Sequence, residues 1–375
     1  MKKRIFRIEW LMLLLAGSAL PAAVLKVDSP EALRSALVDT RAGDTLRLAP
    51  GVWHGLDLTI GVRGTEASPV ILEAAEPGRT VLTGPTAIRL AGRHIIIRGL
   101  YFQKAVRIPG AEGLVVFRDA GGQEALSCRL TELFFEDCNP PDPAENYPWV
   151  RVYGREHRID HCRFAGQDHK GRMIQIRTPA SDLGHRIDHN HFVDRLPGRE
   201  SNGYEVLQIG LSRDSRRDAR VVVEANRFER CDGETEIISS KSGGNRILRN
   251  HFLACSGTVT LRHGTDNIVE DNVFDGRGKP GSGGVRVVDS GHVVRSNTFM
   301  GLSGRTGGVV VLYCGIPDSP LNGYFPAHRA RIENNRFHGH SGNAVYLTGG
   351  YGRHNRVLLP EGIQLVGNTF GRPSS

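Results

Sequence analysis

Metal-type cysteine pairs, helical periodicity and long apolar runs are all scarce in this sequence, and each absence excludes a class of protein. The six cysteines are Cys128, Cys138, Cys162, Cys231, Cys255 and Cys314. None forms a CxxC pair, which argues against structural zinc. After the N-terminus no stretch is long and apolar enough to cross a bilayer. No cysteine stands near the N-terminal leader, so a lipid anchor is not expected. Apolar residues almost never recur at the 3.6-residue spacing of a helix, which excludes a bundle. No nucleic-acid module is present.

What is abundant is glycine, at 46 of 375 residues, a composition of many tight turns. Residues 1–23 read as a signal peptide. Met1-Lys2-Lys3-Arg4 is the basic start, Leu11 to Ala16 the apolar stretch and Gly17 to Ala23 the small-residue end. Such a leader predicts a periplasmic or secreted protein. The formal charge is +8; without the leader's four cations and one acid it is about +5, which suits an anionic extracellular polymer as partner.

The remainder, residues 24–375, reads as one domain. Asp28-Ser29-Pro30-Glu31 predicts a short helix, with Ser29 as N-cap and Pro30 as its first residue. Ala32, Leu33, Ala36 and Leu37 give it an apolar face fit to plug the end of a stacked core. Strand-like phrases follow. His157–Phe164 and His185–Phe192 agree at six of eight positions, 28 residues apart. Asn stands two residues before Phe at Asn190, Asn226, Asn250, Asn272, Asn297, Asn335 and Asn368. This recurrence predicts an all-β chain, a single right-handed parallel β-helix with a helical N-terminal cap. Each Phe should point into the core, and each Asn should take a left-handed turn conformation and stack on the next. Cys231 and Cys255, 24 residues apart, should stack as buried free thiols. Asn139–Pro148, Leu196–Tyr204 and Gly315–Ala327 are loops expelled from the coils, of the kind that wall a groove.

The chemistry concentrates between Asn226 and Phe274. Glu234 and Glu236, two residues apart, would share one face of a strand. Two close carboxylates repel, and a hard cation such as calcium relieves this with its preference for oxygen ligands. Asn202, about one coil earlier, offers an amide oxygen to the same ion. Lys241 and Arg262 are 21 residues apart, about one repeat, and should stand side by side. Arg286, 24 residues beyond Arg262, should stack one coil further and bind a sugar carboxylate. Arg177 is a further candidate on the same reasoning, and His263 would support the site by hydrogen bonding.

The run Glu-Thr-Glu-Ile-Ile-Ser-Ser-Lys-Ser at 234–242, followed by Arg262-His263-Gly264, resembles polysaccharide lyase family 6, the family of chondroitinase B and its alginate lyases. Asn202-Gly203-x-Glu205 and Gln208-Ile209-Gly210 match the same pattern. The resemblance covers essentially the whole mature chain. It implies calcium held by Asn202, Glu234 and Glu236, with Lys241 as general base and Arg262 as general acid. It further implies cleavage of a uronic-acid polymer, alginate by preference and dermatan sulfate as the alternative. Many relatives carry a second β-helical domain that this length does not accommodate. Two other readings compete. A β-helical glycoside hydrolase needs two opposed carboxylic acids, and no Asp-Asp pair occurs here. A non-catalytic carbohydrate-binding solenoid would share the fold and charge but has no need of a Lys–Arg pair beside an acidic pair.

Overall fold

The computed structural model of the protein describes residues 21–371. The leader predicted over residues 1–23 lies outside them except for its last three positions. From Val24 to Phe370 the chain winds as a continuous parallel solenoid with three faces. The first face is a thirteen-stranded parallel sheet. The other two are linked by the long strand Thr80–Leu90, which bends from the second face into the third. The expected β-helix is therefore what the chain forms. Among the described residues the only α-helix is Pro30–Asp39; Ser29 Oγ accepts the Ala32 N–H at 3.2 Å. Leu33 is fully buried, with Ala32, Ala36 and Leu37 packed on the same cluster, so the helix closes the N-terminal end of the core.

The repeat is written in two ladders, buried along their length; only at the C-terminal end does the expectation of a core Phe fail, since Phe370 caps the stack and is 59% exposed. Phe102, Phe135, Phe164, Phe192, Phe228, Phe252, Phe274, Phe299, Phe337 and Phe370 stack ring on ring, with centroids 4.4–5.3 Å apart. Such offset stacks contribute roughly 0.5–1.5 kcal/mol per pair beyond simple burial. Beside them, each Asn amide bonds to the next coil. Asn250 Nδ2 donates to Asn272 Oδ1 at 3.0 Å, and Asn272 Nδ2 donates to Asn297 Oδ1 at 2.9 Å. The left-handed conformation, however, belongs to the residue before each Asn rather than to the Asn. His189, Ala225, Arg249, Asp271, Ser296 and Asn334 carry φ between 51° and 56°. The reason is hydrogen bonding: the turn residue projects outward, so the following Asn can turn inward and satisfy buried main-chain groups.

Asn272 also donates to the carbonyls of Ile247 and Glu270, and accepts the Asn250 N–H at 2.8 Å. Truncation to alanine strands several buried groups at once. Asn272→Ala is expected to cost about 3 kcal/mol of unfolding free energy, read as a lowered urea midpoint at unchanged slope. A shift under about 0.5 kcal/mol would show the ladder to be ornamental.

All six cysteines are free and buried. Cys231 and Cys255 stack as expected, the Cys231 N–H pointing at Cys255 Sγ at 3.4 Å.

Candidate active site

The third face carries the site. Outward positions align across its strands in the order Gln175, Gln208, Ser239, Thr260, Arg286. The strand Glu236–Lys241 breaks this regularity twice. One register slip, between Glu236 and Ile238, lets Ile237 turn inward while Glu236 and Ser239 both face out, and the Ser239 hydroxyl donates to the Glu236 carboxylate. The second slip sets Lys241 opposite His263. Lys241 and Arg262 thus leave adjacent coils on the same face, the neighbourhood their spacing anticipated.

Glu234 sits in the bend before the strand, not in it. The bend nevertheless brings three carboxylates together: Glu205, Glu234 and Glu236 each place an oxygen within 4.8 Å of the others. Glu205 is the member that spacing alone did not single out, although the Asn202-Gly203-x-Glu205 phrase contained it. Asn202 is exposed in the loop three residues earlier. Main-chain contact fixes the pair of loops: the Gly198 N–H donates to the Gly233 carbonyl at 2.8 Å. Gly233 lies against the Tyr204 carbonyl, where any Cβ would collide.

Cations surround this cluster. Arg172 Nε lies 2.9 Å and Lys241 Nζ 3.7 Å from Glu205, and Arg286 Nη1 is 3.5 Å from Glu236. They do not balance it. Burial, then Glu205 and Glu236, push the Glu234 carboxyl up to about 8, against the pull of Arg172 and Lys241. Glu236 goes the other way. Its burial favours the neutral acid, but Arg286, Lys241, the Ser239 hydroxyl and Arg262 together hold it below the ordinary range. Glu234 Oε2 is buried with no hydrogen-bond partner among the described residues. An all-oxygen donor set with an unsatisfied buried oxygen fits a hard divalent cation such as calcium.

Arg262 has no carboxylate partner among the described residues. Its Nη1 donates to the Gly323 carbonyl at 2.7 Å and its Nη2 to the Asn322 carbonyl at 3.3 Å, while the guanidinium sits 4.0 Å from the Tyr324 ring centre. His263, 1% exposed, is held neutral at about 2 by burial and by Arg262, Lys241, Arg216 and Arg286. Its Nδ1 lies 3.4 Å from Arg262 Nη1.

Of the predicted substrate contacts, Arg286 is displaced along its strand, whereas Arg177 stands at a position the repeat allows. Arg286 pairs in register with Thr260, not with Arg262, because the intervening coil is lengthened by the turn at 276–281. It is 6% exposed and committed to Glu236 and to the Tyr324 hydroxyl at 3.1 Å, which leaves little surface for a sugar. Arg177 follows Ile176, which aligns with Ile209 and through it with Ser240, so it lies two coils before Lys241. Its guanidinium is 5.7 Å from the Tyr153 ring centre. Beyond Tyr324 opens a cleft of about 660 Å³ whose lining includes Tyr313, Tyr346, Tyr351, Arg353 and Arg356. Tyr313 and Tyr346 sit on strands of the third face, whereas Tyr351, Arg353 and Arg356 stand outside the clear repeats, where no periodic signal marks them.

Comparison with known proteins places this geometry. The Chondroitinase B family model matches residues 27–362. The family 6 alginate lyase AlyGC is 34% identical with a TM-score of 0.87, over 94% of this chain and 52% of that one. The chain therefore spans about half the length of AlyGC. A mannuronic acid specific family 6 lyase from human gut microbiota is 28% identical with a TM-score of 0.81, over 92% of this chain and 82% of that one. The family 6 lyase Pedsa3628 from Pseudopedobacter saltans, at 24% identity and a TM-score of 0.81 over 92% of this chain and 84% of that one, shares the fold. Among curated proteins none matches.

Proposed function

The chain belongs to the chondroitinase B family, polysaccharide lyase family 6, and from that premise we propose that it cleaves a uronic-acid polymer, alginate, by β-elimination. The observation that carries the reading is the placing of Lys241 and Arg262 on adjacent coils beside the buried carboxylates of Glu205, Glu234 and Glu236. Elimination breaks the C5–H and C4–O bonds of a uronate and forms the C4–C5 double bond. The C5 proton goes to a base, and the leaving oxygen must be protonated or stabilised as it departs.

Lys241 stands at the end of its strand with its amine toward the carboxylates, placed to take the C5 proton. Arg262 presents a guanidinium one coil away, placed to stabilise the leaving oxygen. Neutral His263 lies beneath both and adds no competing charge. Glu205, Glu234 and Glu236, with Asn202 on the adjoining loop, are the residues that would hold calcium. The bound ion would neutralise the uronate carboxylate and so ease the growth of charge beside C5. Arg286 braces Glu236, and Arg177 awaits a sugar carboxylate two coils away. The signal-like leader favours action in the periplasm or outside the cell.

Alginate is preferred because AlyGC, the 34% identical relative, is an alginate lyase. One observation favours dermatan sulfate instead. Arg356 approaches the Tyr324 ring at 4.3 Å and lines the cleft, and with Arg353 it lends the cleft cations suited to sulfate. The purified protein with calcium, incubated with mannuronate-rich and guluronate-rich alginate and with dermatan sulfate, should release ultraviolet-absorbing unsaturated products, fastest from alginate. Products with new reducing ends but no absorbance would mean hydrolysis. A preference for the sulfated polymer would overturn the substrate and keep the mechanism.

A further inference from the structure

Arg262 is unusual among the site's charged groups in being oriented by a loop rather than by an acid. The loop Gly315–Ala327 leaves the third face after Tyr313 and returns at Ala327, whose N–H donates to the Tyr313 carbonyl at 2.9 Å. Its base is clamped by an antiparallel bridge between Gly315 and Leu358, with N–H to carbonyl distances of 2.7 and 3.0 Å. It is narrowed by the Ile316 N–H donating to the Tyr324 carbonyl at 2.8 Å. Phe325 is pinned beneath Arg216 at 4.3 Å, and Arg216 is itself paired with Asp289 at 2.9 Å. A loop tied at so many points is a rigid arm. Its tip delivers two carbonyls and one aromatic face to a single guanidinium, that of Arg262.

Tyr324 does more than lie against Arg262. Its ring is flanked by Arg262 at 4.0 Å and Arg356 at 4.3 Å, and its hydroxyl accepts a hydrogen bond from Arg286 Nη2 at 3.1 Å. Three guanidinium groups would repel one another across so small a space. The π-face of the ring attracts the two that flank it, and the phenol oxygen accepts from the third. Tyr324 is thus the spacer that allows Arg262, Arg286 and Arg356 to converge without carboxylates of their own, apart from the Glu236 shared with Arg286.

We propose that the Gly315–Ala327 loop is the positioning device for Arg262, with Tyr324 as the residue that grips it. This rests on the elimination reading in one respect only, the role of Arg262 in turnover. Arg262 has several freely rotating bonds, and its end group must meet the leaving oxygen in one orientation. Carbonyls on both terminal nitrogens and a ring against the guanidinium fix that orientation. Misplacement by about 1 Å can cost on the order of 100-fold in rate. The grip therefore matters for kcat rather than for binding.

The test compares Tyr324→Leu, Tyr324→Phe, Arg262→Ala and the Tyr324→Leu/Arg262→Ala pair, all checked for native circular dichroism. Tyr324→Leu should lower kcat roughly 30-fold while KM stays within about threefold, since only orientation is lost. Tyr324→Phe keeps the ring and should hold kcat within about threefold. With Arg262 already removed, losing the tyrosine should change kcat by less than about twofold. A readout independent of turnover is phenylglyoxal modification of Arg262, followed by peptide mass spectrometry. It should run several-fold faster in Tyr324→Leu than in the parent or in Tyr324→Phe. Undiminished kcat in Tyr324→Leu, losses that multiply in the double variant, or equal phenylglyoxal rates would each overturn the proposal. If the parent cleaves no uronate polymer, the functional reading fails, and the phenylglyoxal rates still decide whether the grip exists.

Discussion

Lys241→Ala is expected to lower kcat on the uronate polymer by roughly 10³-fold, in the range that loss of a general base produces. KM should change little. The side chain is 15% exposed at the end of its strand, and its one ionic contact among the described residues is Glu205 at 3.7 Å. Glu205 keeps Arg172 at 2.9 Å when the lysine is gone, so the cluster survives and the fold with it. The circular dichroism and the response to calcium should match the parent. A second substitution separates base from mere cation. Lys241→Arg keeps a positive charge but supplies a group that does not release its proton near neutral pH. It should be nearly as inactive as the alanine. Retention of more than about a tenth of parent kcat by the arginine form would show that position 241 acts by charge, and that the base lies elsewhere.

The architecture was legible because its determinants repeat. A Phe that must stack on its neighbour recurs from coil to coil, and from Asn190 onward so does an Asn that must bond to the next, so the solenoid and its period follow from spacing, while the N-terminal plug follows from its Ser29-Pro30 cap. The details that failed are those a period does not encode. Counting 24 residues from Arg262 to Arg286 assumes coils of constant length, and the turn at 276–281 breaks that assumption. Glu234 was expected on a strand with Glu236 but lies in the preceding bend; the carboxylates meet because Gly233 allows the Tyr204 carbonyl to press against the chain. Glu205 was visible as part of a phrase, yet its approach to the acidic pair depends on how the 196–205 loop folds back. Tyr324 and Arg356 are the extreme case. They reach the site from long excursions between coils, where neither alternation nor repeat constrains the sequence, and only the fold brings them to Arg262.

Removal of divalent cations is expected to suppress turnover at least about 100-fold, with recovery on adding calcium, because the carboxylate cluster is assembled at a cost that only a bound cation offsets. The cost has a pH signature. Glu234 in the metal-free fold is raised to about 8, whereas the ordinary value is 4.5. A folded state that holds a proton the unfolded chain releases is favoured below the unfolded value. That advantage disappears as pH rises through the folded one. Buried neutral histidines such as His157, His185, His263 and His292 act oppositely toward the acid end of this range, so the effect is read against Glu234→Gln: the metal-free parent's Tm relative to that variant should fall steadily between about pH 5 and pH 8. Glu236 shifts the other way, so its contribution changes at pH below the ordinary carboxylate range, outside this window. Calcium at about 100 times its Kd at pH 8 should add roughly 2.7 kcal/mol, a rise in Tm of several degrees, and the same concentration should add less at pH 5, where Glu234 holds its proton. Glu234→Gln gives the control. It removes the titrating charge, so the parent's extra fall in Tm across the window should be absent from it, and it removes a ligand, so calcium should no longer raise it. Full turnover after exhaustive chelation, together with a Tm indifferent to calcium, would show that Arg172, Lys241 and Arg286 suffice to hold the three carboxylates and that no cation takes part.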